Sequence, residues 1–176
     1  MFHIEDIDPK VYRTRSRNAT LVMMAIFIVI GFVLAQLSLH YLGPYNDNKI
    51  VLNLMGGVAG LIVTGFIVKA FLADKPFMKE TMYAFRLKRN LMYVTNKLRP
   101  IKEAAEAGDT NAMKCLRFYH IGLTQMHKFD NNTTALIDLD AEIRLLLDKM
   151  NELELDTQQT SFDPEWVKDY ANDEQD

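Results

Sequence analysis

Two long apolar stretches in the first half of the chain constrain its fold more than any other feature. There is no Asp, Glu, Lys or Arg between Asn18 and Asn46, and none between Ile50 and Val68. A helix needs about 20 apolar residues to cross about 30 Å of hydrocarbon, so each stretch is long enough to span a bilayer. We therefore predict transmembrane helices at residues 20–42 and 50–73, joined by a short extracytoplasmic turn at residues 43–49, where Gly43 and Pro44 favour a reversal.

The rest of the composition limits the soluble part to one small domain. The chain has 176 residues, and its mean hydropathy of -0.07 averages the apolar stretches with a polar remainder. About a hundred residues follow the second span, which is enough for a single core. The net charge is -3, with acids gathered at the two ends and bases beside the spans. This distribution argues against nucleic-acid binding, which needs a basic face on the soluble part.

The distribution of basic residues predicts the orientation in the membrane. Residues 1–19 form a juxtamembrane segment in which Asp8-Pro9 has the N-cap and N1 pattern of a helix start. The turn has only Lys49, next to Asp47, so the positive-inside rule places both termini in the cytoplasm. The bases near the cytoplasmic ends either set this topology or contact lipid headgroups; they are Lys10, Arg13, Arg15, Arg17, Lys69 and Lys75.

Small and polar residues predict a contact between helices inside the membrane. Small side chains let two backbones approach closely, and Asn or Thr can add a hydrogen bond across the contact. The predicted contact residues are Gly31, Ala35, Asn53, Gly56, Gly57, Gly60 and Thr64. Their partner is either the other span of the same chain or another copy. The middle of the spans carries no carboxylate or histidine, the residue types that typically mark transport paths.

Apolar residues at alternating spacings of three and four predict a cytoplasmic antiparallel helical bundle at residues 74–155. One stripe runs from Ala84 to Ile101, a second from Ala112 to Met126 and a third from Leu136 to Leu153. Pro100 lies inside the first stripe, so we expect it to kink or interrupt that helix. The predicted fold class is therefore all-α, a transmembrane helical hairpin followed by a bundle with coiled-coil-like packing.

The last segment, residues 156–176, reads as an acidic tail with one short helix. Asp163-Pro164 supplies a cap and an N1 proline, and Phe162, Trp166 and Tyr170 fall on one side. These aromatic residues either dock on the bundle or contact a protein partner. We expect residues 172–176 to be disordered.

The sequence offers no recognisable catalytic or metal-binding pattern. His120 and His127 lack zinc-ligand spacing, and the single Cys115 falls in a helical apolar pattern typical of a buried thiol. The stretch from residue 130 to 142 has the acids of a calcium loop, but Ala135 and Ala141 replace its glycine and bidentate glutamate. Nucleotide-binding, zincin and serine-hydrolase motifs do not occur. We therefore predict a protein that is not an enzyme, with no cofactor, no metal and no small-molecule substrate.

Three short segments resemble a known family when they are taken together with the two N-terminal spans. They are Lys97-Leu98-Arg99-Pro100, the run from Arg117 to Leu123, and Asp130-Asn131-Asn132-Thr133. This set resembles a family of uncharacterised bacterial membrane proteins known only as a domain of unknown function, over nearly the whole chain. The resemblance implies a bacterial inner membrane and transfers no catalytic residues, since the family has no assigned activity.

These features predict a non-enzymatic inner-membrane protein whose cytoplasmic bundle acts as a scaffold or adaptor, through self-association or a protein partner. An alternative is an accessory subunit of a membrane transporter or membrane enzyme complex. A third hypothesis is a small self-assembled channel. The sequence predicts neither the partner nor the oligomeric state.

Overall fold

The computed structural model describes residues 1–170 and confirms the all-α class. Within these residues there are six α-helices and one pair of two-residue strands. The helices are α1 (Pro9–Leu42), α2 (Lys49–Ile67), α3 (Lys79–Thr95), α4 (Leu98–Glu106), α5 (Thr110–Phe129) and α6 (Thr133–Glu152), and the strands are β1 (Phe2–His3) and β2 (Ser161–Phe162). The predicted disorder at residues 172–176 lies outside the described residues.

The chain divides into two compact units, which do not coincide with the boundaries expected from hydropathy. One unit comprises residues 14–82, and the other comprises residues 1–13 together with the chain from Tyr83 onward. The boundaries fall inside α1 and α3, because both helices continue from one unit into the other. The predicted boundary at residues 19 and 20 therefore does not correspond to a break in secondary structure.

Helix α1 begins where the Asp8-Pro9 pattern predicts. The Asp8 carboxylate accepts a hydrogen bond from the Lys10 amide at 2.6 Å, and its carbonyl accepts one from the Tyr12 amide at 2.9 Å. A 3₁₀ turn, Gly43–Tyr45, follows α1, and the Asn48 side chain then caps α2. The segments Pro9–Tyr45 and Lys49–Leu72 are long and apolar enough to cross a membrane.

The apolar segments of α1 and α2 pack through very small residues. A Cβ placed on Gly56 would lie 2.4 Å from the Cα of Ala35, and one on Gly60 would lie 2.6 Å from the Cα of Gly31. The buried stripe of α2 comprises Leu52, Gly56, Gly60 and Thr64. Glycine is required at both positions because a side chain would force the backbones apart.

The structure places Asn53 and Gly57 outside this helix–helix contact. Each follows a residue of the buried stripe, and one residue corresponds to a rotation of about 100° around a helix. Asn53 is exposed, and nothing lies within 4 Å of a Cβ built on Gly57. Of the seven predicted contact residues, these two face away from α1, whereas Gly31, Ala35, Gly56 and Gly60 meet in the contact and Thr64 is buried.

The first predicted stripe of the bundle is two helices rather than one. Helix α2 ends in a π-helical turn, Val68–Leu72, and Pro76 starts a 3₁₀ turn that leads into α3. Helix α3 ends at Thr95, and Pro100 lies in the first turn of α4. A proline in a first turn removes no intrahelical hydrogen bond. Of the two expected outcomes the structure shows the interruption, which lies between Thr95 and Leu98, and not a kink at Pro100.

The core of the unit formed by residues 1–13 and 83–170 is built around α5. Buried residues of α5 include Met113, Cys115 and Phe118. Helix α3 approaches closely at Gly122, where a Cβ would lie 2.8 Å from Cδ2 of Leu91. The small residue at position 122 therefore lets α3 and α5 pack at short range.

Both ends of the described chain dock on α5, which the stripes did not predict. Strand β1 pairs antiparallel with β2, with Phe2 opposite Phe162, and the Ile4 amide donates to the Thr160 carbonyl at 2.9 Å. Tyr12 stacks on Phe129, with ring centroids 4.0 Å apart. The N-terminal segment is thus part of the core and not only an approach to the first apolar helix.

The aromatic residues of the C-terminal segment pack on their own chain. Phe162 is fully buried, and Trp166 contacts its ring edge to face at a centroid distance of 6.0 Å. The Trp166 carbonyl accepts a hydrogen bond from Asn111 at 3.0 Å, and the Tyr170 hydroxyl donates to the Asp109 carboxylate at 2.8 Å. Of the two alternatives, docking on the bundle and contact with a protein partner, the structure shows docking. A 3₁₀ turn at Pro164–Val167 takes the place of the expected short helix.

Candidate binding groove around His120

A groove opens where α4, α5 and α6 meet. Its volume is about 470 Å³, and it is partly open to solvent. Such a volume is within the range of about 300–1,000 Å³ typical of small-molecule sites. The groove is lined by Lys102, Ala105, Glu106, Leu116, His120, Glu142, Leu145, Leu146 and Lys149.

Local capping interactions determine where α4 ends and where α5 and α6 begin. Gly108 adopts a φ of +100° after α4, a conformation that favours glycine, and the Asp109 carboxylate caps α5 by accepting from the amides of Asn111 and Ala112. The Asn132 side chain caps α6 by accepting from the Ala135 amide at 3.2 Å. The acids between residues 130 and 142 are thus placed mainly on α6.

His120 is the most unusual side chain in the groove. It is only 2% exposed, and neither Nδ1 nor Nε2 has a hydrogen-bond partner within residues 1–170. Burial lowers the pKa of His120 to about 4, against the opposing effect of Glu142, while Arg117 and Lys102 lower the pKa further. The imidazole is therefore neutral at pH 7, with one donor and one acceptor nitrogen.

One ion pair and a second lysine lie in the groove with His120. The Lys102 ammonium donates to Oε2 of Glu142 at 2.8 Å, and Nε2 of His120 lies 3.8 Å from the same oxygen, too far for a hydrogen bond. The Lys149 ammonium donates to the main-chain carbonyl of Glu106 at 2.6 Å, near the end of α4. The groove thus combines an apolar floor with two ammonium groups, the carboxylates of Glu106 and Glu142, and one buried neutral imidazole.

No group of three His, Cys, Asp or Glu side chains within residues 1–170 is placed to hold a metal ion. Cys115 is buried nearby on α5, and burial raises the pKa of its thiol to about 12, so the nucleophilic thiolate is disfavoured. The spacing of His120 in the sequence indicates no ligand site, and the sequence does not predict the groove because its lining comes from three separate helices.

The six predicted headgroup-contacting bases are all exposed, and three of them make specific contacts. Arg15 forms an ion pair with Glu80 at 2.5 Å, Arg13 donates to the Lys128 carbonyl at 3.1 Å, and the Lys10 amide contributes to the α1 cap. Arg17 is exposed on α1 and Lys69 in the π-helical turn, whereas Lys75 immediately precedes the Pro76 turn.

Comparison with known proteins places this chain in a family without an assigned activity. No curated protein and no solved structure matches it. The matching family is described as a protein of unknown function (DUF3087), and the match covers residues 2–167. The match includes both apolar helices, all three helices of the groove and most of the docked C-terminal segment. It confirms the resemblance to an uncharacterised family that the sequence indicated. The chain belongs to the DUF3087 family.

Proposed function

We propose that this protein is a multi-pass protein of the bacterial inner membrane whose helical bundle acts as a cytoplasmic scaffold or adaptor. In this proposal, α1 and α2 anchor the chain, and the bundle binds a protein partner or a second copy. The main support for the interaction role is an exposed apolar face on α6.

The exposure of the apolar helices supports a membrane location. Phe32 on α1 is 66% exposed and Phe66 on α2 is 70% exposed. A core helix of a soluble protein has its apolar residues buried, whereas only 22% of the most apolar part of α2 is buried in the chain. Contact with lipid tails removes such side chains from water without requiring further protein.

The proposed orientation rests on the positions of the exposed bases. Arg13, Arg15 and Arg17 precede the apolar part of α1, and Lys69 and Lys75 follow that of α2. This asymmetry supports cytoplasmic termini. A cysteine introduced at Asn46 should react with an impermeant maleimide in intact cells, whereas one at Glu152 should react only after permeabilisation. The opposite labelling pattern would refute the orientation.

The exposed face on α6 is the surface proposed for binding. Ile137 and Leu145 are each 74% exposed, and Ala141 lies between them at helical spacing. Large apolar side chains that remain exposed on one helix face are typical of protein interaction sites. This face is distinct from the stripe that buries Leu139, Leu146 and Met150 inside the bundle.

Crosslinking in native membranes tests the scaffold role. The wild-type protein should yield crosslinked species that mass spectrometry identifies as a second copy or a specific protein. Ile137→Glu should reduce their yield about tenfold, because a charge on an apolar contact must be desolvated. Lys88→Glu, at an exposed position on α3, is the control and should leave the yield unchanged. Recovery of monomer and lipid alone from the wild type would refute the scaffold role.

A second candidate is an accessory subunit of a larger membrane complex. It is favoured by the face of α2 that turns away from α1, where nothing lies within 4 Å of a Cβ on Gly57 or Gly65. These two glycines and Asn53 recur at multiples of four residues, so another helix could approach them closely. Gly57→Leu should then disperse the complex, whereas Val58→Leu should not; unchanged co-purification of Gly57→Leu would eliminate this candidate.

A further inference from the structure

The groove around His120 has the features of a small-molecule site in addition to any protein contact made by α6. We propose that it binds an amphiphilic carboxylate, a molecule with one carboxylate head and an apolar chain. The head would be held by Lys102 and His120, and the chain would lie on the apolar floor of the groove.

The position for the head is already defined by a carboxylate of the protein itself. Oε2 of Glu142 lies 2.8 Å from Nζ of Lys102 and 3.8 Å from Nε2 of His120, so two nitrogens flank this oxygen. The Glu142 side chain is 49% exposed, which allows it to turn into solvent. A ligand carboxylate can then take its place on the Lys102 ammonium, with Glu142 acting as an internal competitor.

His120 supplies the reason for a ligand to be favoured over Glu142. A buried polar group without a hydrogen bond is unfavourable because it has given up its interactions with water, and neither His120 ring nitrogen has a hydrogen-bond partner within the described residues. In the tautomer with the proton on Nε2, the ring can donate to an acceptor that approaches more closely than Glu142 does. A ligand is not tethered to α6, so its carboxylate can reach hydrogen-bonding distance of both nitrogens.

Apart from the exposed Glu106, the remaining lining fits an apolar chain. Ala105, Leu116 and Leu146 are buried and form the floor, while Leu145 is exposed at the edge. An alkyl chain along this floor would cover Leu145 and remove its surface from water. Lys149 lies at the same groove with its ammonium on a neutral carbonyl, so it adds positive potential for the head.

The test uses the full-length protein in lipid nanodiscs and titrates sodium decanoate, with decanol as the uncharged probe. Calorimetry should show saturable one-to-one binding of decanoate and much weaker binding of decanol. Imidazole NMR signals of His120 should shift during the decanoate titration. Partition into the lipid is common to all variants and is measured with empty nanodiscs.

Variants at the groove give the decisive comparison. Lys102→Gln should weaken decanoate binding about tenfold, as expected for loss of a charge-assisted hydrogen bond, and Lys149→Gln should weaken it less. Glu142→Gln should strengthen binding several-fold by removing the internal competitor. Lys88→Gln, exposed on α3, is the matched control and should not change it. Equal binding of decanoate and decanol, or binding unaffected by both Lys102→Gln and Glu142→Gln, would overturn the proposal.

Discussion

The rings of Phe118 and Phe162 stack with centroids 4.7 Å apart and an interplanar angle of 13°. Both side chains are fully buried, and Phe2 packs edge-on against Phe118 at 6.3 Å. Phe118 belongs to α5, Phe162 to β2 and Phe2 to β1. This aromatic cluster therefore joins both ends of the described chain to the central helix of the bundle.

Truncating Phe162 should destabilise the bundle strongly. Phe162→Ala removes a buried ring from a stacked pair and leaves a cavity, which typically costs about 3–5 kcal/mol. Urea unfolding followed by circular dichroism measures the change. Asp169→Ala, an exposed position in the same segment, should shift the free energy of unfolding by less than about 0.5 kcal/mol. An equal effect of the two substitutions would show that Phe162 does not hold the segment in place.

The packing of the two apolar helices should depend on Gly56 but not on the adjacent Gly57. In Gly56→Leu the new Cβ would lie within 2.4 Å of the Ala35 backbone, so the helices must separate, at a cost of about 1–3 kcal/mol. In Gly57→Leu the Cβ meets nothing within 4 Å. Spin labels on Gln36 and Leu54 should report a longer distance only for Gly56→Leu. A similar increase in both variants would contradict the helix orientation.

The buried neutral His120 should make the bundle less stable as the pH falls. Its pKa is about 4 in the folded chain and about 6.5 when exposed, so the unfolded chain binds the extra proton first. Stability is then unaffected above about pH 6.5 and decreases between about pH 6.5 and 4, by about 3 kcal/mol in total. Glu142, Arg117 and Lys102 are the charged groups that act on His120 and are present in every variant tested.

Unfolding of the wild type and His120→Gln at a series of pH values isolates this contribution. Glutamine has no proton to bind in this range, so the difference between the two unfolding curves should vary with pH between about 6.5 and 4 and be constant above it. A difference that stays constant over the whole range would show that His120 does not titrate as its burial implies.

The ion pair between Arg15 and Glu80 should contribute to the free energy of unfolding, because only one of its two side chains is exposed. Glu80 is buried and its Oε2 has no hydrogen-bond partner within residues 1–170, whereas about half of the Arg15 side chain is exposed. Arg15→Met leaves the Glu80 carboxylate without its ion pair, so we expect a loss of about 2 kcal/mol. Arg15→Met combined with Glu80→Gln should recover part of this loss in thermal unfolding. No recovery in the double variant would indicate that Arg15 acts through packing instead.

Local sequence signals predicted most of the helices but fewer of their boundaries. The Asp8-Pro9 cap is a short-range device, and α1 begins where it predicts. The caps at Asp109 and Asn132 in the structure act over equally short distances in sequence. Pro100 predicted an interruption or a kink, and an interruption occurs between Thr95 and Leu98. Its position was harder to predict because the apolar stripe continues in register from α3 into α4. The pairing of β1 with β2 joins residues far apart in sequence and too few for an alternating pattern.

The candidate site was less predictable than the fold. His120 could be recognised as a histidine on a helix, but its burial and its distance to Glu142 depend on how α4 and α6 pack against α5. Likewise, the sequence alone cannot distinguish Gly56 from the adjacent Gly57. Only the rotation of α2 relative to α1 decides which of the two lies in the helix–helix contact.

The sequence by itself determined the helical class, the two helices long enough to cross a membrane and the apolar stripes of the bundle. These follow from hydrophobic periodicity and capping, which act over a few residues. Only the tertiary structure decided which glycines meet α1, that the aromatic C-terminal segment docks on α5, and that Lys102, His120 and Glu142 share one groove. Their positions depend on contacts between distant segments, where side-chain volume and the rotation of each helix select one packing among many.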